Sequence, residues 1–293
     1  MKLILGGAQF ADKYGISNNK SHISKKDLKK IFELSANKSN FIDTAFNYKG
    51  SLETIAKYNH QYDFKINLKI DVGKTKLYQS KFFERVNYSF AKLNKNKIYC
   101  IMIHDTINFM KLKPSKKREI IDGLNLLKKT NRIKKIGYSI YDIKELNYLK
   151  NIKNIDLVQL PINIFDQHLI KEKRLLFLKK RNIEIHARSI FLQGLIFLKL
   201  PTIEKIVGKK SSQFRAFFKE YDNIEERLFH CVNFIKNCKM IDKAIVGFTN
   251  YSEFKLLLKI FKKKIINKNY TIFSIKDKKI LRPYLWKIKK IYK

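Results

Sequence analysis

The chain has 293 residues and a mass of 34.9 kDa, enough to bury a large core in one α/β barrel or in two smaller domains. Hydrophobic residues at 45% and aromatics at 13% exclude a disordered chain, and no apolar run approaches the roughly 18 residues of a membrane span. A net charge of +38 would ordinarily nominate nucleic acid or an anionic membrane as partner. Nine arginines among 63 basic residues leave 54 lysines, however, and readers of bases and phosphates rely on the bidentate fork of Arg. The lysines are spread over every polar stretch beside abundant Asn, Ile, Phe and Tyr, as a coding bias toward A and T produces. No specific nucleic-acid partner and no membrane is therefore expected. Met1-Lys2-Leu3-Ile4-Leu5 stops at Gly6-Gly7, too short an apolar stretch for export. Cys100, Cys231 and Cys238 are odd in number and form no CxxC pair, so a reducing, cytoplasmic setting without a metal site is expected.

Leu3-Ile4-Leu5 before Gly6-Gly7-Ala8-Gln9-Phe10 predicts a buried strand running into a Gly-rich loop. Ser24-Lys25-Lys26-Asp27 resembles a capping box, followed by Leu28, Ile31 and Phe32 at helical spacing. Phe41-Ile42 is a short strand ending at Asp43; Gly50-Ser51 breaks the chain, and Ser51 is the expected cap of a helix carrying Leu52 and Ile55. Strands are predicted at Phe64–Ile70, Ile98–His104, Ile133–Ile140, Ile155–Leu160 (stopped by Pro161), Ile183–Ala187 and Lys243–Gly247. Helical patterns follow them: Phe82 to Leu93, a helix opened by Pro114, a short one near Lys144–Leu149, then Leu169–Lys180, Ile224–Cys238 and Tyr251–Phe261. Eight strands each followed by a helix, with no Pro, Gly or Ser-rich linker, predict a single (β/α)8 barrel over 1–293. Residues 264–293 then form a C-terminal extension. A doubly wound sheet is the alternative, but Gly6-Gly7-Ala8-Gln9 is not the dinucleotide fingerprint G-x-G-x-x-G.

In such a barrel the active site lies at the C-terminal ends of the strands. Asp43 closes strand two with Tyr48 in the loop beyond it, Lys69 is presented by strand three, and His104 by strand four. A tyrosine is a poor acid or base at neutral pH; an adjacent ammonium is expected to lower its pKa, and a carboxylate to hold that ammonium charged. A neutral imidazole can polarise a carbonyl. The set suits carbonyl reduction or alcohol oxidation, and because no side chain supplies a hydride, a nicotinamide cofactor is implied.

These residues resemble the aldo-keto reductase family. Its pattern of D-T-A, a few residues, then Y-G-x-S-E is present as Asp43-Thr44-Ala45-Phe46-Asn47-Tyr48-Lys49-Gly50-Ser51-Leu52-Glu53, with one residue inserted on each side of Gly50. Ile136-Gly137-Tyr138-Ser139, Val158-Gln159-Leu160-Pro161-Ile162-Asn163 and Ala244-Ile245-Val246-Gly247 also match. Arg188-Ser189-Ile190-Phe191-Leu192-Gln193-Gly194-Leu195 looks most like a bacterial subgroup associated with surface-polysaccharide and modified-sugar pathways. The resemblance implies an NADP(H)- or NAD(H)-dependent reductase of a small aldehyde or ketone, with Asp43, Tyr48, Lys69 and His104 as catalytic tetrad. It places Ser139 and Gln159 on the nicotinamide carboxamide. Gly7, Ser189, Gln193, Gly194 and the loop Gly247, Thr249, Asn250 fall on the rest of the cofactor. Phe10, Phe46 and Asp105 are expected to line the substrate pocket, with Trp286 a weaker candidate.

The chain departs from the family pattern in several places. Ile140 replaces an Asn that grips the carboxamide, and Arg188 replaces an aromatic that stacks on the nicotinamide, where its guanidinium plane is expected to stack and bind the cofactor instead. Thr249 and Glu253 stand where basic residues commonly meet the 2′-phosphate of NADPH. Strand one follows Met1 directly, so the hairpin that usually floors the barrel is expected to be missing. Two rival readings remain: a non-catalytic, cofactor-binding regulatory member of the same fold, and a nucleic-acid binder supported by charge alone.

Overall fold

The computed structural model describes residues 1–12, 15–16, 22–36, 40–208 and 212–286. Eight parallel strands close on themselves in chain order: β1 (Lys2–Gly6), β2 (Phe41–Ala45), β3 (Lys65–Ile70), β4 (Ile98–Ile103), β5 (Ile133–Ser139), β6 (Leu157–Pro161), β7 (Glu184–Arg188) and β8 (Lys243–Val246). The barrel shuts where Lys2 to Leu5 pair with Lys243 to Val246. The helices are α1 (Lys25–Ala36), α2 (Ser51–Tyr62), α3 (Lys76–Ser80), α4 (Phe82–Leu93), α5 (Thr106–Met110), α6 (Pro114–Lys129), α7 (Ile143–Leu149), α8 (Leu176–Lys180), α9 (Leu200–Val207), α10 (Ser212–Glu220), α11 (Ile224–Asn237), α12 (Tyr251–Lys262) and α13 (Lys278–Leu281). Among the described residues no helix is long and apolar enough to cross a membrane.

Strand alternation divides the core. Leu3 and Leu5 point to the helices, where they join one large cluster with Ile31, Phe32 and Phe254. Between them Ile4 turns inward against Phe41 and Ile245, while Cys100, Met102 and Leu157 fill the barrel from the other side. Gly137 makes room for Met102: a Cβ there would stand 2.4 Å from the Met102 Cγ. At the N-terminal end of the strands Glu184 gathers Lys135, Lys243, the Tyr99 hydroxyl at 3.1 Å and His186 Nε2 at 2.8 Å. That end is a polar plug, and the opposite end is left for chemistry.

Several local expectations differ from the structure. The helix expected from Leu169 to Lys180 is interrupted: a 3-10 turn at Lys171–Lys173 ends at Lys173 in the left-handed region (φ 55°), and only α8 is helical. Pro161 is the last residue of β6, opposite Arg188, and not a stop before it. Ser51 is not the cap of α2; Gly50 is, at φ 66°, with no side-chain capping bond. Of the C-terminal extension, 264–286 are described and 287–293 lie outside the described residues. The described part is held by backbone and side-chain bonds, among them Ile275 N to Phe165 O at 2.9 Å.

Candidate active site

The turn after β2 places Tyr48. Its amide donates to Ala45 O at 3.0 Å, and Ser51 N donates to Tyr48 O at 3.0 Å, so the chain reverses within one turn. Gly50 makes the reversal possible. Its left-handed φ suits glycine, and a Cβ there would stand 2.7 Å from the Ala11 Cβ. The Ser51 hydroxyl, freed from capping, lies 2.9 Å from Thr44 Oγ1 and donates to Gly7 O at 3.0 Å. That ties the loop after β1 to the loop carrying Tyr48.

Asp43 does not close its strand, since β2 runs on to Ala45. It projects from the middle of β2, Lys69 from near the end of β3 and His104 from just past β4, and the structure brings all three to Tyr48. Lys69 Nζ donates to Asp43 Oδ2, both nearly fully buried, and stands 5.1 Å from the centre of the Tyr48 ring. The His104 ring meets the Tyr48 ring edge-on at 6.2 Å. Gln159 binds both members of the ion pair: its Nε2 donates to Asp43 Oδ1 at 2.7 Å and its Oε1 accepts from Lys69 at 3.4 Å. Thus Gln159, expected at the carboxamide, uses its polar atoms to orient Asp43 and Lys69.

The electrostatics correct one expectation. Tyr48 is not drawn toward phenolate by Lys69. Burial pushes its phenol above the ordinary value, Asp43 adds to the rise, and Arg188 is the cation that opposes it. His104 is lowered to about 3, first by burial and then by the charges of Lys69 and Arg188. At neutral pH the site therefore holds a protonated phenol beside an uncharged imidazole.

A cleft of about 500 Å³ runs from this tetrad across the ends of β7 and β8. Gly7, Arg188, Ser189, Gln193, Gly194, Gly247 and Thr249 line it, as does Gln159. Ser139 does not; it is buried behind the wall, where its carbonyl accepts from Thr106 Oγ1. Asn250 does not either; its side chain caps α12 by accepting from Glu253 N at 2.9 Å. The three expected substrate-pocket residues also lie off the cleft. The 3-10 turn Gly7–Gln9 swings Phe10 into the core against Phe32 and Phe248. Phe46 packs edge-on against Tyr88. Asp105 accepts from Val72 N at 3.0 Å and Asn108 Nδ2 at 2.8 Å. Trp286 is buried, with Nε1 on Ile280 O. The lining residues that sequence reasoning missed include Gln9, Tyr141, Phe197, Ile224 and Leu228, which no strand-end rule would identify.

The cleft fits an elongated, phosphate-bearing cofactor. Its loop after β7 holds Ser189, Leu192, Gln193 and Gly194 at positive φ, an accumulation of costly backbone conformations of the kind found at ligand clamps. Gly247 leaves room for the Gln9 amide: a Cβ there would stand 2.3 Å from Gln9 Oε1 and push that side chain aside. At the far end Glu253 accepts from Thr249 N at 2.7 Å and Thr249 Oγ1 at 2.8 Å, and Leu256 and Leu257 supply an apolar wall.

The family profile described as the aldo/keto reductase family matches residues 2–268. No curated protein matches the sequence. Among solved structures, the chain is similar to a Bacillus halodurans aldo-keto reductase in its holo form, with a TM-score of 0.70, 17% identity and coverage of 91% of this chain and 88% of that one. It is also similar to a Bombyx mori aldo-keto reductase in complex with NADP, with a TM-score of 0.60, 14% identity and coverage of 93% and 88%. A Brucella melitensis aldo/keto reductase gives a TM-score of 0.60, 18% identity and coverage of 92% and 91%. At these identities the structural likeness speaks for the fold, and the profile speaks for kinship: the chain belongs to the aldo/keto reductase family.

Proposed function

We propose that the protein reduces an aldehyde or ketone to an alcohol with NAD(P)H, Tyr48 giving the proton to the carbonyl oxygen. One observation carries this reading: Tyr48, His104 and the Asp43–Lys69 pair meet at the inner end of the cleft, with the phenol protonated and the imidazole neutral. When bound, the cofactor supplies the hydride. Ser189, Gln193, Gly194, Gly247 and Thr249 are the residues that would hold it along the cleft. The structure of the similar Bombyx mori aldo-keto reductase in complex with NADP supports the same class of cofactor here.

The chain's own groups divide the work around the substrate oxygen. Tyr48 donates its proton as negative charge develops there. His104, uncharged, offers a hydrogen bond to the same oxygen without competing for the proton. Lys69, oriented by Asp43 and Gln159, places a cation near the ring just as the phenolate forms, so its effect is largest after transfer. Burial of the site keeps water from weakening these interactions.

The direct test is a fluorescence titration with NADPH and with NADH, followed by turnover of 4-nitrobenzaldehyde monitored at 340 nm. Saturable binding and turnover with either cofactor are expected. Binding without turnover over a panel of carbonyl compounds would assign the chain a regulatory role.

A further inference from the structure

Arg188 closes β7 and borders two spaces at once, the catalytic cleft and a smaller cavity of about 90 Å³ beside it. The smaller cavity is walled by Asn163, by Tyr141, and by Arg282 and Tyr284 of the C-terminal segment. Two guanidinium groups therefore adjoin it, and they are in different states. Arg282 is buried and neutralised: its Nη1 donates to Asp166 at 2.8 Å, and its Nη2 to Tyr141 O at 2.7 Å. Arg188 has no carboxylate in ion-pair contact among the described residues. One nitrogen donates to Ile140 O at 3.1 Å, and the guanidinium carbon lies 4.0 Å from the centre of the Tyr141 ring. Of five N–H donors, most are unused.

Glu145, the acid whose titration Arg188 influences, makes no ion-pair contact with it: its Oε2 accepts from the amides of Tyr141 and Asp142 at 2.8 and 2.9 Å, and its buried Oε1 has no hydrogen-bond partner among the described residues. The Arg188 charge is also felt at Tyr48 and at His104, so it stands within electrostatic reach of the reacting atoms. A half-buried cation without a counterion is costly unless an anion visits it. The Tyr141 ring holds the guanidinium flat, and Arg282 fixes Tyr141 in turn, so the fork is set in advance for a planar or tetrahedral oxyanion. The small cavity has room for such a group and not for a nucleotide.

We propose that Arg188 and the adjoining cavity form a subsite for a carboxylate or phosphate carried by the carbonyl substrate itself. This rests on the carbonyl-reduction reading above. The substrate class is then an anionic aldehyde or ketone, its oxygen at Tyr48 and its charge at Arg188.

The test compares kcat/KM for 4-carboxybenzaldehyde, 4-formylphenyl phosphate and the uncharged methyl 4-formylbenzoate, at 0.15 M salt and saturating cofactor. The wild type favours at least one anionic aldehyde over the ester by about ten- to a hundredfold, the range for a charge-assisted bidentate contact; which one wins separates carboxylate from phosphate. Arg188→Met brings that ratio to within about threefold of unity whatever it does to absolute rates, and Arg188→Lys keeps part of it. Lys264→Met removes an equal charge from an exposed, unpaired site and leaves the ratio unchanged, which excludes general attraction by the +38 surface. Reduction of the ester without preference for either anion overturns the subsite and leaves the reduction reading intact. Failure to reduce all three overturns both. A ratio untouched in Arg188→Met, with NADPH affinity weakened more than about tenfold, assigns Arg188 to the cofactor and overturns the proposal.

Discussion

His104 should make the protein sensitive to acid in a measurable way. Its folded pKa is lowered to about 3 by burial, then by Lys69 and Arg188, against about 6.5 for an unfolded histidine. Above pH 6.5 both states are neutral and the group has no effect on stability. Below it the unfolded chain takes up a proton that the folded chain refuses, so stability falls by about 1.4 kcal/mol per pH unit until the folded pKa is reached. At pH 5 the loss is about 2 kcal/mol, a large share of the roughly 5–15 kcal/mol that holds a typical domain folded. His186, lowered to about 4 chiefly by burial, acts in the same direction, and acidic side chains contribute as well. The comparison with His104→Asn isolates the one residue. Urea unfolding of both proteins at pH 8, 6.5 and 5 should show the wild type losing about 2 kcal/mol more than the variant between pH 8 and 5. The His104 ring proton resonances should stay flat over the same range. If the two proteins lose stability equally within about 0.5 kcal/mol, His104 protonates in the fold, and a neutral imidazole at the carbonyl oxygen is the wrong description.

Two further outcomes follow from charge placement. Glu253 closes the far end of the cleft and no Lys or Arg lines that end among the described residues, so NADPH and NADH should bind within about tenfold of each other. Titrations of Glu253→Gln should show that ratio moving several-fold toward NADPH, less at higher salt; an unmoved ratio, or a thousandfold NADPH preference in the wild type, refutes the placement. The +38 charge should give only weak DNA affinity that vanishes at moderate salt, because scattered lysines neutralise few phosphates at once. Sub-micromolar, sequence-selective binding at physiological salt, measured by fluorescence anisotropy, would contradict this.

The barrel was legible because strands buried on both faces, by the helices on one side and the barrel interior on the other, read as short apolar runs. The tetrad was legible because Lys69 and His104 stand at strand ends, where register dictates direction, while Asp43 was read as the end of a strand that in fact continues to Ala45. What followed from turns was not. Phe10 lies only three residues past Gly7, yet the 3-10 geometry turns it into the core; Phe46 and Asp105 are likewise aimed by local bonds that composition does not encode. Short helices such as α5 and α10 carry too few periods for a hydrophobic pattern to show. The sign of the Tyr48 shift was set first by how deeply the ring is buried, which the sequence does not show, and Gln159 joined the Asp43–Lys69 pair from 116 positions away. The docking of Arg282 against Asp166 likewise links distant segments, so the cavity beside Arg188 had no sequence signature.

Tyr48→Phe tests the central claim most directly, since it removes one oxygen and keeps the ring that packs against His104 and Lys69. Cofactor affinity, measured by fluorescence titration, should stay within about threefold of wild type, while turnover of an aldehyde falls by about 10²–10⁴, the range for loss of a general acid. Turnover within about threefold of wild type would contradict the assignment of Tyr48 as proton donor.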